Sequence, residues 1–165
     1  MTHMVQAGEL KPIDEDTENA MYDYLCARLQ EAGFVHYEVS NFALPGYEAQ
    51  HNSSYWDGTP YMGVGAGAHS YIRNTRSWNV NDLDGYMKGV KGDSETLTEK
   101  DLYNERIMLG LRTNQGIAGS FPKQSRSVIE SKIQDGLLRE TEDGRIVATQ
   151  QGLHILNRII EDLMI

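Results

Sequence analysis

Six consecutive residues, His51-Asn52-Ser53-Ser54-Tyr55-Trp56, form the densest set of ligand-binding side chains in the chain. An imidazole can ligate a haem iron while flat aromatic rings pack against the macrocycle, and Asn52 can orient the segment that carries them. The same six residues also read as a structural loop whose Tyr and Trp plug a core while His51 bonds a carbonyl, and residue types alone leave both readings standing. A second set runs Tyr61-Met62-Gly63-Val64-Gly65-Ala66-Gly67-Ala68-His69-Ser70. Glycine at every second position, with only small residues from Gly65 to Ala68, requires something close to that backbone. It is either a neighbouring element packed on a strand, or a cofactor facing the bare amides of a strand end. The dinucleotide fingerprint is excluded, because it needs G-x-G-x-x-G opening a helix. Cys26 stands alone, which rules out an intramolecular disulfide, a Cys-rich zinc site and an iron–sulfur cluster ligated from this chain. It lies beside Leu25 and Leu29 with no activating partner at a useful spacing, and reads as a small buried hydrophobe.

Patterning predicts the elements that must position these residues. Asp14 or Asp16 caps a helix on which Met21, Leu25 and Leu29 recur every fourth residue, and Gly33 closes it in a left-handed conformation. Phe34 to Val39 reads as a short strand following that helix, as in an α/β unit, and Ser40 to Pro60 as an irregular loop between the Pro45-Gly46 and Asp57-Gly58 turn signals. Asn81-Asp82-Leu83-Asp84 starts a short helix ending near Gly92, and Asp93 to Leu97 reads as a linker. Beyond it Thr98 caps a helix carrying Leu102, Ile107, Leu109 and Leu111, and Phe121 to Gln134 forms another. Leu137 to Ala148 reads as a hairpin around Asp143-Gly144, after which Thr149 caps a final helix through Leu153, Leu156, Ile160 and Leu163. That order describes a small winged-helix-like unit.

Composition limits what these elements can do. The 165 residues are 39% hydrophobic with 16 glycines, the balance of a globular chain. A net charge of −9 disfavours nucleic acid and anionic membrane as partners. Residues 1–97 carry 6 basic and 14 acidic side chains and residues 98–165 carry 9 and 10, so the chain divides into two units, 1–97 and 98–165. Without a basic stripe, the second unit reads as a protein-packing module and not a DNA reader. No apolar run is long enough to span a membrane, and Met1 to Gln6 lacks a leader pattern, so the expected location is the cytoplasm.

Several blocks in order carry a family resemblance: Tyr37-Glu38-Val39-Ser40-Asn41-Phe42-Ala43, Pro45-Gly46, His51-Asn52-x-x-Tyr55-Trp56, and Gly63-x-Gly65-Ala66-Gly67-Ala68-His69-Ser70. Gly110-Leu111-Arg112 and the stretch from Gly136-Leu137-Leu138 through Gly152 to Asn157 extend it. From about Gly8 to its end the chain resembles the oxygen-independent coproporphyrinogen III oxidase-like family, and within it the HemW-like haem-chaperone branch. The resemblance implies an α+β fragment: the last β/α elements of a radical-SAM partial barrel over 1–97, bearing the H-N-x-x-Y-W loop, then a winged-helix-like domain over 98–165. Family members hold a [4Fe–4S] cluster and S-adenosylmethionine through C-x-x-x-C-x-x-C, which is missing here, so both cofactors belong to a longer parent in which Met1 is internal. By the same resemblance His51, Asn52, Tyr55 and Trp56 bind haem, with His51 as the iron ligand, and Gly65, Ala66, Gly67, Ala68 and His69 lie on the S-adenosylmethionine side of the barrel.

Three functions follow as expectations. The first is haem binding and delivery to an acceptor protein. The second is oxidative decarboxylation of coproporphyrinogen III by the parent, mildly disfavoured because residues 1–97 offer the propionates only Lys11, Arg28, Arg73, Arg76, Lys88 and Lys91. The third is a cofactor-free interaction module. Exposed strand edges and apolar surface predict self-association in each case.

Overall fold

A computed structural model of the chain describes residues 3–4, 7–8 and 11–165, and the Met1 to Gln6 stretch read above for a leader lies mostly outside them. Two compact units result, one ending at Glu48 and one spanning Ala49–Ile165. Among the described residues no helix is long and apolar enough to cross a membrane.

In the first unit, α1 (Glu15–Glu31) begins where the Asp14 carboxylate accepts the Thr17 amide at 2.9 Å, and Gly33 beyond its end takes φ 85°. Of its apolar residues Cys26 is buried, whereas Met21 and Leu25 are 60% and 47% exposed. β1 (Val35–Glu38) pairs with β2 (Asn41–Ala43) antiparallel, with a bulge between His36 and Glu38. The His36 ring stacks on Phe42 at 4.1 Å. The Tyr22 hydroxyl, from α1, donates to the Val39 carbonyl at 3.0 Å and fastens the helix to the hairpin.

Burial, followed by the neighbouring Cys26, pushes the Tyr22 phenol well above its ordinary range. The folded state thus favours the neutral phenol. Its contribution is fully present below about pH 10, the unfolded value, and is lost as pH rises through the folded one. Thermal unfolding of the chain should therefore shift downward above pH 10 in the wild type and less steeply in Tyr22→Phe. Parallel curves for the two proteins would contradict this placement of Tyr22.

The second unit opens with α2 (Gln50–Trp56) and continues into a three-stranded antiparallel sheet, β3 (His69–Ile72), β4 (Thr75–Trp78) and β5 (Asp93–Thr96), in the order β3-β4-β5. Arg73 and Asn74 turn the first hairpin at φ 50° and 62°, the conformation that a two-residue hairpin matched to strand twist demands. α3 (Leu83–Met87) is capped by Asp82, and α4 (Glu99–Gly110) by a Thr98–Asp101 capping box. α5 (Lys123–Gln134), the antiparallel pair β6 (Leu138–Glu140) and β7 (Ile146–Ala148), α6 (Gln150–His154) and α7 (Leu156–Leu163) complete it. The best-buried side chains, Ile107, Leu111, Ile117, Leu138, Ile159 and Leu163, all come from this C-terminal part. Arg112 donates to the Asn157 side chain at 2.8 Å, joining the Gly-Leu-Arg block to the chain's last block.

The structure corrects four expectations. Ser40 to Pro60 is not wholly irregular: it holds β2 and α2, so the H-N-x-x-Y-W residues sit on a helix and not on a loop. Gly63 to Ala68 is irregular with a turn at Ala66–Gly67, and regular strand starts only at His69, because Gly65 and Gly67 take φ 114° and 69°. Asp93 to Thr96 is a strand and not a linker, held by its ladder to β4. The last helix breaks at Ile155 into α6 and α7. Every described strand pair is antiparallel.

Candidate functional site

α2 has no side-chain cap at Ala49, but no glycine or proline interrupts Gln50–Trp56, and Gly58 at φ 75° follows its end. One helical turn places His51 and Tyr55 on the same face, their rings edge-to-face at 5.1 Å. Tyr55 meets Tyr61 edge-to-face at 5.0 Å, and Tyr61 lies 6.4 Å from Tyr71 of β3. Reciprocal 2.9 Å backbone hydrogen bonds between Tyr61 and Tyr71 hold this row of rings to the sheet.

Asn52, Tyr55 and Trp56 form one side of a cleft of about 670 Å³, a volume typical of small-molecule sites. Leu102 and Leu109 of α4, Ile117, and the arginines Arg76, Arg106 and Arg145 also line it. Arg76 pairs with Glu105 and, at 3.7 Å, with Glu95. Arg145 donates to the carbonyls of Gln115 and, at 3.1 Å, Gly116. Arg106 donates to the Ser120 carbonyl at 3.2 Å and lies over the Phe121 ring at 5.5 Å. Neither Arg106 nor Arg145 joins an ion pair among the described residues. The Trp56 indole nitrogen is buried without an acceptor among the described residues, an uncommon state for a buried donor.

This donor set fits a metal carried inside a macrocycle better than a bare ion. No three His, Cys, Asp or Glu converge among the described residues, whereas one exposed imidazole, His51, stands next to a wall of flat rings. His51 itself contacts Tyr55 but does not line the cleft.

The glycine-rich set is placed differently. A Cβ at Gly63 would lie 2.1 Å from the His69 carbonyl oxygen, and one at Gly67 2.9 Å from Asn81 Oδ1, so the chain itself makes the close approach. The Gly65 amide donates to the Tyr86 hydroxyl at 3.1 Å, the Gly67 amide to Val80 at 2.9 Å, and the Ala68 amide to Gly65 at 3.3 Å. His69 is exposed and its ring stacks on Trp78 at 5.8 Å. None of Gly65, Ala66, Gly67, Ala68 or His69 lines the cleft. The residues that sequence reasoning missed are Arg106 and Arg145. The tally of basic partners stopped at residue 97, and no linear spacing signals that α4 and the start of β7 face α2 across one cleft.

Comparison with known proteins agrees with this architecture. The HemN C-terminal domain model matches residues 97–155. The heme chaperone HemW of Mycobacterium tuberculosis (strain CDC 1551 / Oshkosh) is 36% identical over 171 residues, covering 99% of this chain and 44% of that protein. The heme chaperone HemW of Lactococcus lactis subsp. lactis is 34% identical, over 96% of this chain and 45% of that protein. Among solved structures, the coproporphyrinogen III oxidase HemN of Escherichia coli, described as a radical SAM enzyme, shares the fold with a TM-score of 0.61 at 16% identity, over 86% of this chain and 39% of that one. The chain spans less than half the length of these relatives. Residues 97–155 belong to the HemN C-terminal domain family, and the chain along nearly its whole length is similar to the heme chaperones HemW.

Proposed function

We propose that the chain binds haem beside α2 and takes part in its delivery to acceptor proteins, a reading supported by its similarity to proteins named heme chaperones. The observation that carries this reading is the placement of His51 one helical turn before the adjacent Tyr55 and Trp56 on one short helix, with Tyr55 and Trp56 at the cleft wall. In this reading His51 is the residue that would ligate the iron, and the aromatic row would offer apolar faces to the ring. Titration of hemin into the chain tests it: the expected result is a saturable Soret change at one site per chain, and a non-saturating change would contradict it.

The coproporphyrinogen reading regains support from the cleft. Arg106 and Arg145 supply basic partners that a count over residues 1–97 omitted, so scarcity of cations no longer separates the two porphyrin ligands. The radical chemistry named for the relatives uses a cluster and S-adenosylmethionine. A single cysteine here cannot ligate that cluster, so in our reading these cofactors, and the Gly65–His69 approach to S-adenosylmethionine, belong to the longer protein.

We read residues 98–165 as winged-helix-like and engaged in protein packing, supported by the order α4, α5, the β6–β7 hairpin, then α6 and α7, and by a net charge of −1 over that stretch. Self-association is supported by Met62, Val64, Leu83 and Met87, which are 74%, 81%, 66% and 76% exposed.

A further inference from the structure

We propose that Arg106 and Arg145 hold the two carboxylates of a dianionic tetrapyrrole whose ring lies against Tyr55 and Trp56. The inference rests on the haem reading above and adds to it the residues that choose which edge of the ligand enters.

Charge makes the first argument. The chain carries −9 overall, yet the cleft brings together Arg76, Arg106 and Arg145 against Glu105 and Asp57. Arg76 is neutralised by Glu105 and Glu95. Asp57 accepts from the Thr59 amide at 2.9 Å and the Thr59 hydroxyl at 2.6 Å. The remaining cations, Arg106 and Arg145, face no carboxylate within ion-pair distance among the described residues. Three guanidiniums against two carboxylates leave the cleft lining with one surplus positive charge, which favours an anion, and guanidinium is the group best matched to a carboxylate.

Orientation makes the second. Two carbonyls, those of Gln115 and Gly116, take the Nε and Nη2 hydrogens of Arg145 and leave Nη1 as a donor on a fixed plane. Arg106 uses Nη2 on Ser120 and rests over Tyr103 and Phe121, so its guanidinium is likewise held while retaining free donors. The Trp56 indole N–H, buried without an acceptor in the same wall, offers a third donor. A flat ligand with two carboxylates on one edge satisfies both features at once: aromatic surface for its face, cations for its edge.

The test uses the full chain and compares hemin with hemin dimethyl ester, delivered from the same detergent, on the wild type, Arg106→Gln and Arg145→Gln. Each substitution should weaken hemin binding about tenfold to a hundredfold, as expected for losing a charge-assisted hydrogen bond, with an unchanged Soret position for bound hemin. Ester binding should be the same in all three proteins. Arg145 also braces two backbone carbonyls, so if its variant does not fold, Arg106→Gln, at an exposed position, decides alone. Wild-type binding with undiminished hemin affinity in Arg106→Gln overturns the carboxylate clamp and leaves the haem reading intact. Equal weakening of hemin and ester overturns it as well, since a charge-specific contact cannot act on the ester. Absence of saturable hemin binding to the wild type overturns both.

Discussion

Gly152→Ala is expected to destabilise the second unit by about 3 kcal/mol or more, lowering its melting temperature by about 10 °C. A Cβ at this position would sit 2.0 Å from the Leu137 carbonyl oxygen, closer than any real contact. That oxygen cannot simply move aside. It accepts the Thr149 amide at 3.0 Å and the Thr149 hydroxyl at 3.2 Å, the cap that starts α6 after the β6–β7 hairpin. Relieving the clash therefore pulls apart the junction on which α6 and the buried face of α7, with Ile159 and Leu163, depend. Gln151→Ala, on the same helix but exposed, is the control and should change stability by no more than about 0.5 kcal/mol. Thermal melts that coincide for the two variants would contradict the close packing described for Gly152.

His51→Ala is expected to remove the nitrogen-ligated Soret signature of bound hemin and to weaken binding at least tenfold to a hundredfold, the range seen even for loss of a group that only orients a metal ligand. His51 lies on the exposed face of α2 and its ring touches Tyr55. The substitution therefore deletes the proposed ligand and one edge-to-face contact while leaving the helix hydrogen bonds in place, and circular dichroism should be unchanged. His69→Ala, which removes the imidazole stacked on Trp78, should leave the signature as it is. Loss of the signature in His69→Ala and not in His51→Ala would transfer the ligand to the glycine-rich turn.

Capping chemistry made the C-terminal part legible from sequence. Thr98 and Thr149 each accept the backbone amide three residues on, Asp14 does the same at α1, and Asp143-Gly144 turns the hairpin with Gly144 at φ 76°. Such signals are local, so a linear reading can find them. What escaped it are short elements decided by their neighbours. β5 is exposed at all four positions and shows no alternation; only the ladder to β4, with Asp93 opposite Trp78, makes it a strand. α2 has polar residues, no cap and two flanking turn signals, a pattern that a loop shares. For the site, the side chains of the H-N-x-x-Y-W block were legible because they are contiguous. The arginines facing them were not, since Arg106 and Arg145 lie 50 and 89 residues beyond Trp56 and reach the cleft through the packing of α4 and β7. Of the glycines in that pattern, Gly63 and Gly67 are closely approached, by His69 and Asn81 of the same chain, whereas a Cβ at Gly65 would meet nothing within 4 Å.

The most direct test of the account is to map the ligand on the protein. Titrating diamagnetic gallium protoporphyrin IX into the isotopically labelled chain and following its amide and side-chain resonances by NMR reports every residue that the ring touches. The account predicts the largest shifts at His51, Tyr55 and Trp56, including the Trp56 indole N–H, with smaller ones at Arg106 and Arg145. Shifts centred on Gly65 to His69, with α2 unmoved, would contradict it.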